Sequence, residues 1–455
     1  MAAAVAVELG RWQIYPSPET VTELSLPLIH FDLAFFYFHP VQRLLFFDFR
    51  CSRPHFVDSV LPRLKDSLRR TLRHFLPLAG KLVQPAEASR RPFLRFLDGD
   101  SVSLTVAECD KDFRHLTGNH PRLADEFYAC VPDLPPAEDS PEGRLLPVIA
   151  LQVTLFPQQG VCLGFTNHHA VGDASAIVRF IKSWATVNFS GSDGKLIDEK
   201  SLPFLDRTAV EDSDGLDAVY WELLRKRSGR RTPESRPISF PLSKLRATFV
   251  IRNDDVSKLK SLVSIRCPKM HITSFTVTCA LVWACLVKSE AGSVPDDEPE
   301  YFGLAADCRE RLNPPLPATY FGNCLAFVKA EATHGSLRRN DGFLVAAESL
   351  GLAIQESVYN ERGILDGAEG WPSDFGKLIG KRLFGVSGSP RFDLYDADFG
   401  WGRPRKFESA SIDRDNSMSL SKSRFSDGGL EFGLSRTKKK LDAFAAAFIE
   451  TLRTL

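Results

Sequence analysis

Two histidines, a glycine and an aspartate fall within six residues, HHAVGD, from His168 to Asp173. Imidazole has an ordinary pKa near 6.5, so a placed histidine can take a proton from a substrate at neutral pH. A strand is expected to end at the histidines, Gly172 to permit a tight turn, and Asp173 to cap a helix. A strand-to-helix turn offers its side chains at the mouth of a fold, where substrate can reach them. Of the ten histidines, only His169 has an aspartate at the fourth position after it. Chance alone supplies about half such a match in a chain of this composition, so the spacing needs support from elsewhere. A metal on His168, His169 and Asp173 is disfavoured, because neighbouring strand residues point to opposite faces.

Two further segments carry reactive or charged groups. DFGWG spans Asp398 to Gly402. A kinase reading of DFG fails for want of an HRD loop, a VAIK-type lysine or a Gly-rich phosphate loop. There is also no P-loop, no GxGxxG and no GxSxG elbow. The plain reading is a Gly-rich turn at Gly400 with Trp401 packed beneath it. DCRERLNPPLPATYFGNC, from Asp307 to Cys324, sets mixed charges beside an apolar strand. That pattern suggests a buried ion-pair network, in which Arg309 or Arg311 pairs with a distant carboxylate.

The elements that must position these residues are partly legible. Val57, Val60, Leu61, Leu64, Leu68, Leu72 and Phe75 keep helical spacing, and Pro77 and Gly80 end that helix. LPVIALQVTLF (146–156) and GVCLGFTNHH (160–169) read as strands joined by a turn. ASAIVRFIKSWA (174–185) reads as a helix burying Ile177, Phe180, Ile181 and Trp184, with Arg179 off that stripe and reading as a surface residue. SFTVTCALVWACLVK (274–288) reads as a buried helix. Strands are expected near 301–306, 324–331 and 429–434, and a C-terminal helix on Leu441, Phe444, Phe448 and Leu452.

A chain of 455 residues exceeds one ordinary core, so two domains are expected. The composition shifts at 190–240, which divides an N-terminal domain (1–190) from a C-terminal one (241–455) by a crossover (191–240). Within it Lys226–Arg231 is a basic string, read as a solvated loop rather than a nuclear signal. Fifty-seven basic and 57 acidic residues cancel, which argues against nucleic acid or an anionic membrane as partner. No apolar run has the length of a membrane span, and the N-terminus makes a poor signal peptide. Nine cysteines without a CxxC pair argue against a disulfide framework or a zinc ribbon. A cytoplasmic protein with reduced thiols is expected, and nothing in the sequence demands more than a monomer.

Taken together the motifs resemble the plant BAHD acyl-CoA-dependent acyltransferases. HxxxD lies near the middle and DFGWG near the C-terminus, with SLPLIHFD (25–32), LKDSLRRTLRHFLPLAGKL (64–82) and DGGLEFGL (427–434) also fitting. YFGNC (320–324) resembles the branch acting on anthocyanins and other phenolic glycosides, many of whose members use malonyl-CoA. One departure is Ala174, where much of the family has Gly.

The resemblance implies an α/β (α+β) fold of two similar-sized chloramphenicol acetyltransferase-like domains with a channel between them. It implies His169 as general base, an orienting Asp173 paired with Arg309, and Asn323 nearby. DFGWG, with Gly400 and Trp401, is implied to be structural, and Asp398 is carried as a further catalytic candidate. Thr273 and Ser274 are implied to meet CoA. No cofactor or metal is implied; acyl-CoA, with malonyl as the expected acyl group, is a co-substrate, and a phenolic glycoside is the acceptor. Three rivals stay open: a hydroxycinnamoyl-CoA transferase on the same acceptors, a hydrolase using His169 on water, and a non-catalytic homologue.

Overall fold

The computed structural model describes residues 6–18, 22–87, 89–191, 197–228, 242–270, 272–290, 292 and 294–454. Residues 1–5 and Gly229–Arg231 of the basic string lie outside these. Among the described residues the strands form three sheets. The first has six strands in the order Val7–Ile14, Val102–Glu108, Ile149–Phe156, Gly160–Asn167, Val41–Phe47, Lys406–Ser409. The second has seven: Leu325–Thr333, Pro299–Asp307, Leu383–Ser387, Ser417–Lys422, Leu430–Arg436, Leu245–Ile251, Arg122–Leu123. A five-stranded sheet built on Lys81–Pro85 and Phe93–Leu97 accompanies the first. Each large sheet therefore takes one edge strand from the other half of the chain.

The two central strands of the first sheet are buried along their whole length. Alternation sends Leu151, Val153, Leu163 and Phe165 to one face and Phe156 and Cys162 to the other, and a separate apolar cluster covers each. The helices Leu61–Leu72 and Ala174–Ser190 pack together on the first face. Leu64, Leu68, Ile177 and Trp184 are fully buried there, each contributing roughly 1.5–3 kcal/mol of transfer free energy. Ser67 satisfies the polar edge of that contact, accepting from Trp184 Nε1 at 3.0 Å and donating to Asn188 Oδ1 at 2.9 Å.

The sequence pattern mistook the start of the first helix. A wide turn at Phe56–Val60 precedes Leu61–Leu72 and rotates the chain, so that Phe56 is buried and Val57 is 39% exposed. The helix after Asp173 runs on to Ser190, past the expected Ala185. The segment read as a crossover contains a helix, Leu216–Ser228, whose Tyr220 and Leu224 are buried. Lys226 lies in its last turn.

The second sheet is covered by the helices Ser274–Ser289, Gly342–Val358 and Lys438–Thr454. Its strands Pro299–Asp307 and Leu325–Thr333 pair antiparallel, Asp307 opposite Leu325. The connection between them, 308–324, thus starts and ends at one point, with Arg309 beside Asn323. No helix among the described residues is long and apolar enough to cross a membrane.

Candidate active site

The strand Gly160–Asn167 ends in a short turn, His169–Val171, followed by the helix Ala174–Ser190. Asp173 is its N-cap, its Oδ1 accepting from the N–H of Ala176 at 3.2 Å. Gly172 has extended backbone, so its small size matters more than any left-handed freedom: a Cβ there would fall 2.9 Å from that of Ala176.

The loop of the second sheet closes on this turn. Asp173 Oδ2 lies 2.9 Å from Arg309 Nη1 and accepts the N–H of Cys324 at 3.2 Å. Arg309 and Asp173 are 2% and 3% exposed, so the pair is shielded from water. Burial alone would lower the Arg309 pKa; the Asp173 carboxylate outweighs it and holds the guanidinium charged. Arg309 also donates to the carbonyls of Tyr320 and Gly322 at 3.1 and 3.0 Å. Arg311 turns away to the Asp307 carbonyl and the ring of Tyr359.

Asn323 reaches the ring of His169, its Oδ1 lying 3.2 Å from Nδ1. The Asn323 Nδ2 group donates to Asp32 Oδ1 and to the carbonyl of His169, both at 3.0 Å. Both of those partners are acceptors, so only the NH2 end of the amide can face them. The amide oxygen must then face Nδ1, which makes Nδ1 the protonated nitrogen and leaves the Nε2 lone pair free. Phe35 stacks on the same ring at 4.0 Å between centroids and 9° between planes.

Burial lowers the His169 pKa to about 4, the Arg43 charge adds to this, and the hydrogen bonds to its own carbonyl and to Asn323 and the charge of Asp173 oppose it. The residue keeps a partly exposed edge. The ring is neutral at pH 7. His168 is fully buried, also lowered to about 4 by burial and by His169, and its Nδ1 accepts the N–H of Ala170.

Each residue of YFGNC has a task in this junction. The Tyr320 ring faces the guanidinium groups of Arg207 and Arg309 at 5.1 and 5.7 Å. Phe321 packs edge-on to Phe75. A Cβ on Gly322 would collide with Arg207. Asn323 holds His169, and the backbone of Cys324 holds Asp173.

Two of these partners escaped the sequence reading. Asp32 and Arg207 are buried and form an ion pair, N to O 3.6 Å, and Arg207 also donates to the carbonyl of Phe321. Asp32 stands inside SLPLIHFD, so its motif was visible but its partner, 291 residues away, was not. Arg207 lies in the segment read as a crossover and gave no signal.

Asp398 takes no part in this arrangement. Its Oδ1 accepts three backbone N–H groups of its own turn, from Gly400, Trp401 and Gly402, at 2.7, 3.1 and 3.0 Å. Gly400 and Gly402 have φ of +88° and +82°, which side chains resist. Trp401 stacks on Phe49 and Phe399, and the Phe399 carbonyl accepts from Asn188. Asn188 is 15 residues beyond Asp173 on one helix, about 22 Å along its axis. The geometry places Asp398 as the residue that closes its own turn.

Thr273 caps the helix Ser274–Ser289, accepting the N–H of Thr276 at 3.1 Å, and both Thr273 and Ser274 stay partly exposed. Arg179 is half-buried rather than on the surface. It donates to the Ala318 carbonyl and lines an open cleft with Lys182 and Arg391.

A neutral histidine with its Nε2 lone pair free thus sits where a turn of the first sheet meets a loop of the second. The chain belongs to the Transferase family, whose pattern matches residues 7–451. It is an acyl-CoA-dependent acyltransferase of the BAHD group that the motifs resemble. It is 46% identical over 420 residues to phenolic glucoside malonyltransferase 1 of Nicotiana tabacum, covering 91% of this chain and 92% of that one. It is 44% identical to malonyl-coenzyme:anthocyanin 5-O-glucoside-6'''-O-malonyltransferase of Salvia splendens, covering 95% and 93%. In fold it is similar to vinorine synthase, with a TM-score of 0.70 at 17% identity and 98% of each chain covered. It is also similar to F. graminearum TRI101 complexed with ethyl coenzyme A, with a TM-score of 0.64 at 16% identity, covering 93% and 97%.

Proposed function

We propose that this protein transfers a malonyl group from malonyl-CoA to a sugar hydroxyl of a phenolic glycoside such as an anthocyanin, with His169 as general base. The observation that carries the base assignment is the Asn323 amide, which puts the proton of His169 on Nδ1 and frees Nε2. The acceptor hydroxyl gives its proton to Nε2 while its oxygen attacks the thioester carbonyl. The tetrahedral intermediate collapses, the C–S bond breaks, and the CoA thiolate takes the proton back from Nε2. No acyl-enzyme forms. Asp173 orients the turn through Arg309 and the Cys324 backbone, and does not itself move a proton.

Malonyl donor and phenolic glucoside acceptor are supported by the names of the Nicotiana and Salvia relatives and by YFGNC. Three cations lining the cleft beside the helix Ala174–Ser190 suit the phosphates of CoA. The partly exposed N-terminus of Ser274–Ser289, at Thr273, suits a second anionic group. The division into 1–190 and 241–455 is part of the same proposal, with the site where their two large sheets meet. The test is thiol release from malonyl-CoA and p-coumaroyl-CoA with a panel of phenolic glucosides. Release from p-coumaroyl-CoA alone would replace the malonyl donor, and release without a glucoside would make the protein a thioesterase.

A further inference from the structure

Five arginines among the described residues are buried. Four of them face carboxylates: Arg122 with Glu408, Arg207 with Asp32, Arg246 with Asp413 and Arg309 with Asp173. The fifth, Arg43, is 8% exposed and has no hydrogen-bond or ion-pair partner among the described residues. Arg43 feels the charge of Asp173 without touching it, and its guanidinium nitrogens are not sealed from solvent, so its donors are open to a ligand.

Arg43 lies in the strand Val41–Phe47, opposite Phe165 of the strand that leads to His169. Alternation places it with Leu45 and Phe47 on the face covered by the helix Ala174–Ser190. Burial lowers its pKa to about 10, so it is cationic at neutral pH, and its charge is felt at both His169 and Asp173. It lines a small cavity of about 20 Å³ with Ala174, Val178, Ser389, Phe392 and Tyr395. The other charges at that cavity, Asp393 and Lys422, are bonded to each other at 2.9 Å. The first turn of the helix, at Ala174, adds its own positive end. Along the strands, four residues or about 13 Å separate the Arg43 position from His169, a gap that two long side chains and a three-carbon acyl group bridge.

We propose that Arg43 binds the free carboxylate of a short dicarboxylic acyl donor of the malonyl class, and so selects the donor. This rests on the reading of the protein as an acyl-CoA transferase with His169 as base. The cavity is small and reaches the guanidinium, whose unpaired donors supply the fork that a carboxylate fits. Acetyl-CoA, which lacks that carboxylate, leaves the cation unanswered.

The experiment compares malonyl-CoA with acetyl-CoA on the wild type, Arg43→Gln and Arg43→Lys. With a glucoside acceptor, Arg43→Gln is expected to lower kcat/KM for malonyl-CoA about 100-fold while acetyl-CoA changes less than about threefold. Arg43→Lys, which keeps the charge, is expected to fall between. Binding of each donor without acceptor, by calorimetry, supplies a readout independent of turnover: malonyl-CoA should lose its advantage over acetyl-CoA in Arg43→Gln. A malonyl-to-acetyl ratio that stays within twofold of wild type in a folded variant, in rate or in binding, overturns the proposal. If Arg43→Gln does not fold, the ratio in Arg43→Lys decides it on the same criterion. A wild type that transfers neither donor would refute the broader reading, and the binding comparison would still decide the role of Arg43.

Discussion

Asn323 Oδ1 lies 3.2 Å from Nδ1 of His169, while the other end of the same amide is bonded to Asp32. The relation joins residues 291 positions apart into one line, and it decides which nitrogen of the ring can act. Replacing Asp32 by Ala removes one of the two acceptors that orient the amide. We expect kcat to fall about 10- to 100-fold with KM nearly unchanged. Asp32→Asn can keep an oxygen toward Asn323 and should retain most of the activity. Nitrogen NMR of labelled histidine would show the Nδ1–H tautomer in wild type and a mixture in Asp32→Ala. An unchanged tautomer together with unchanged kcat would refute the relay.

Asp173 combines a helix cap with a shielded ion pair, and the two contributions can be separated. Asp173→Ala loses the cap, worth about 1 kcal/mol, and takes from Arg309 its buried carboxylate. Arg309 keeps Asp307 Oδ1 at 3.1 Å, so the added cost should fall below the roughly 3–5 kcal/mol of a fully stranded buried charge. Asp173→Asn can keep the cap, so it should melt between Asp173→Ala and wild type. Thermal melts of the three proteins check this order. An Asp173→Ala protein as stable and active as wild type would contradict the orienting role.

The pH dependence follows from the two lowered histidines. Both have folded pKa values of about 4, against the ordinary 6.5 of the unfolded chain. Between those values the unfolded state binds more protons, so their contribution to stability is complete above pH 6.5 and is lost as pH falls toward 4. The acid limb of kcat/KM should likewise lie well below 6.5, because the base form persists there. A limb centred at 6.5, measured with a pH-stable acceptor, would show that the His169 ring is not desolvated as described.

Asp398 should behave as a turn residue. Asp398→Ala leaves three N–H groups to water or to no partner, and we expect a lower melting temperature. At a temperature where the variant is folded, kcat/KM should stay within about threefold of wild type, since the turn is about 22 Å along the helix from Asp173. A stable Asp398→Ala protein with a large loss of kcat would restore it as a catalytic residue.

How much of this was legible in the sequence depended on whether the signal was local. The strands at 149–156 and 160–167 and the helices at 174–190, 274–289 and 438–454 announced themselves by apolar spacing, because burial of one face or of both imposes a period. Asp173 as a cap, and DFGWG as a turn, were readable from residue types alone. Phe56 was not, since a wide turn shifts the helical phase by one residue without any mark in composition. Arg43, Asp32 and Arg207 were not either. Their meaning lies in partners brought together across sheets, and an arginine in a strand looks the same whether it faces water, a carboxylate or an empty cavity. The edge strand Lys406–Ser409 joined the first sheet for the same reason: its partner Val41–Phe47 is far away along the chain.

The central claim is that His169 takes the proton of an acceptor hydroxyl. Its most direct test is CoA thiol release from malonyl-CoA with and without a phenolic glucoside, in wild type and in His169→Ala. The account predicts release only when glucoside and His169 are both present, with His169→Ala slower by at least about 1,000-fold and melting like wild type. Glucoside-dependent release that survives in a folded His169→Ala protein would contradict it.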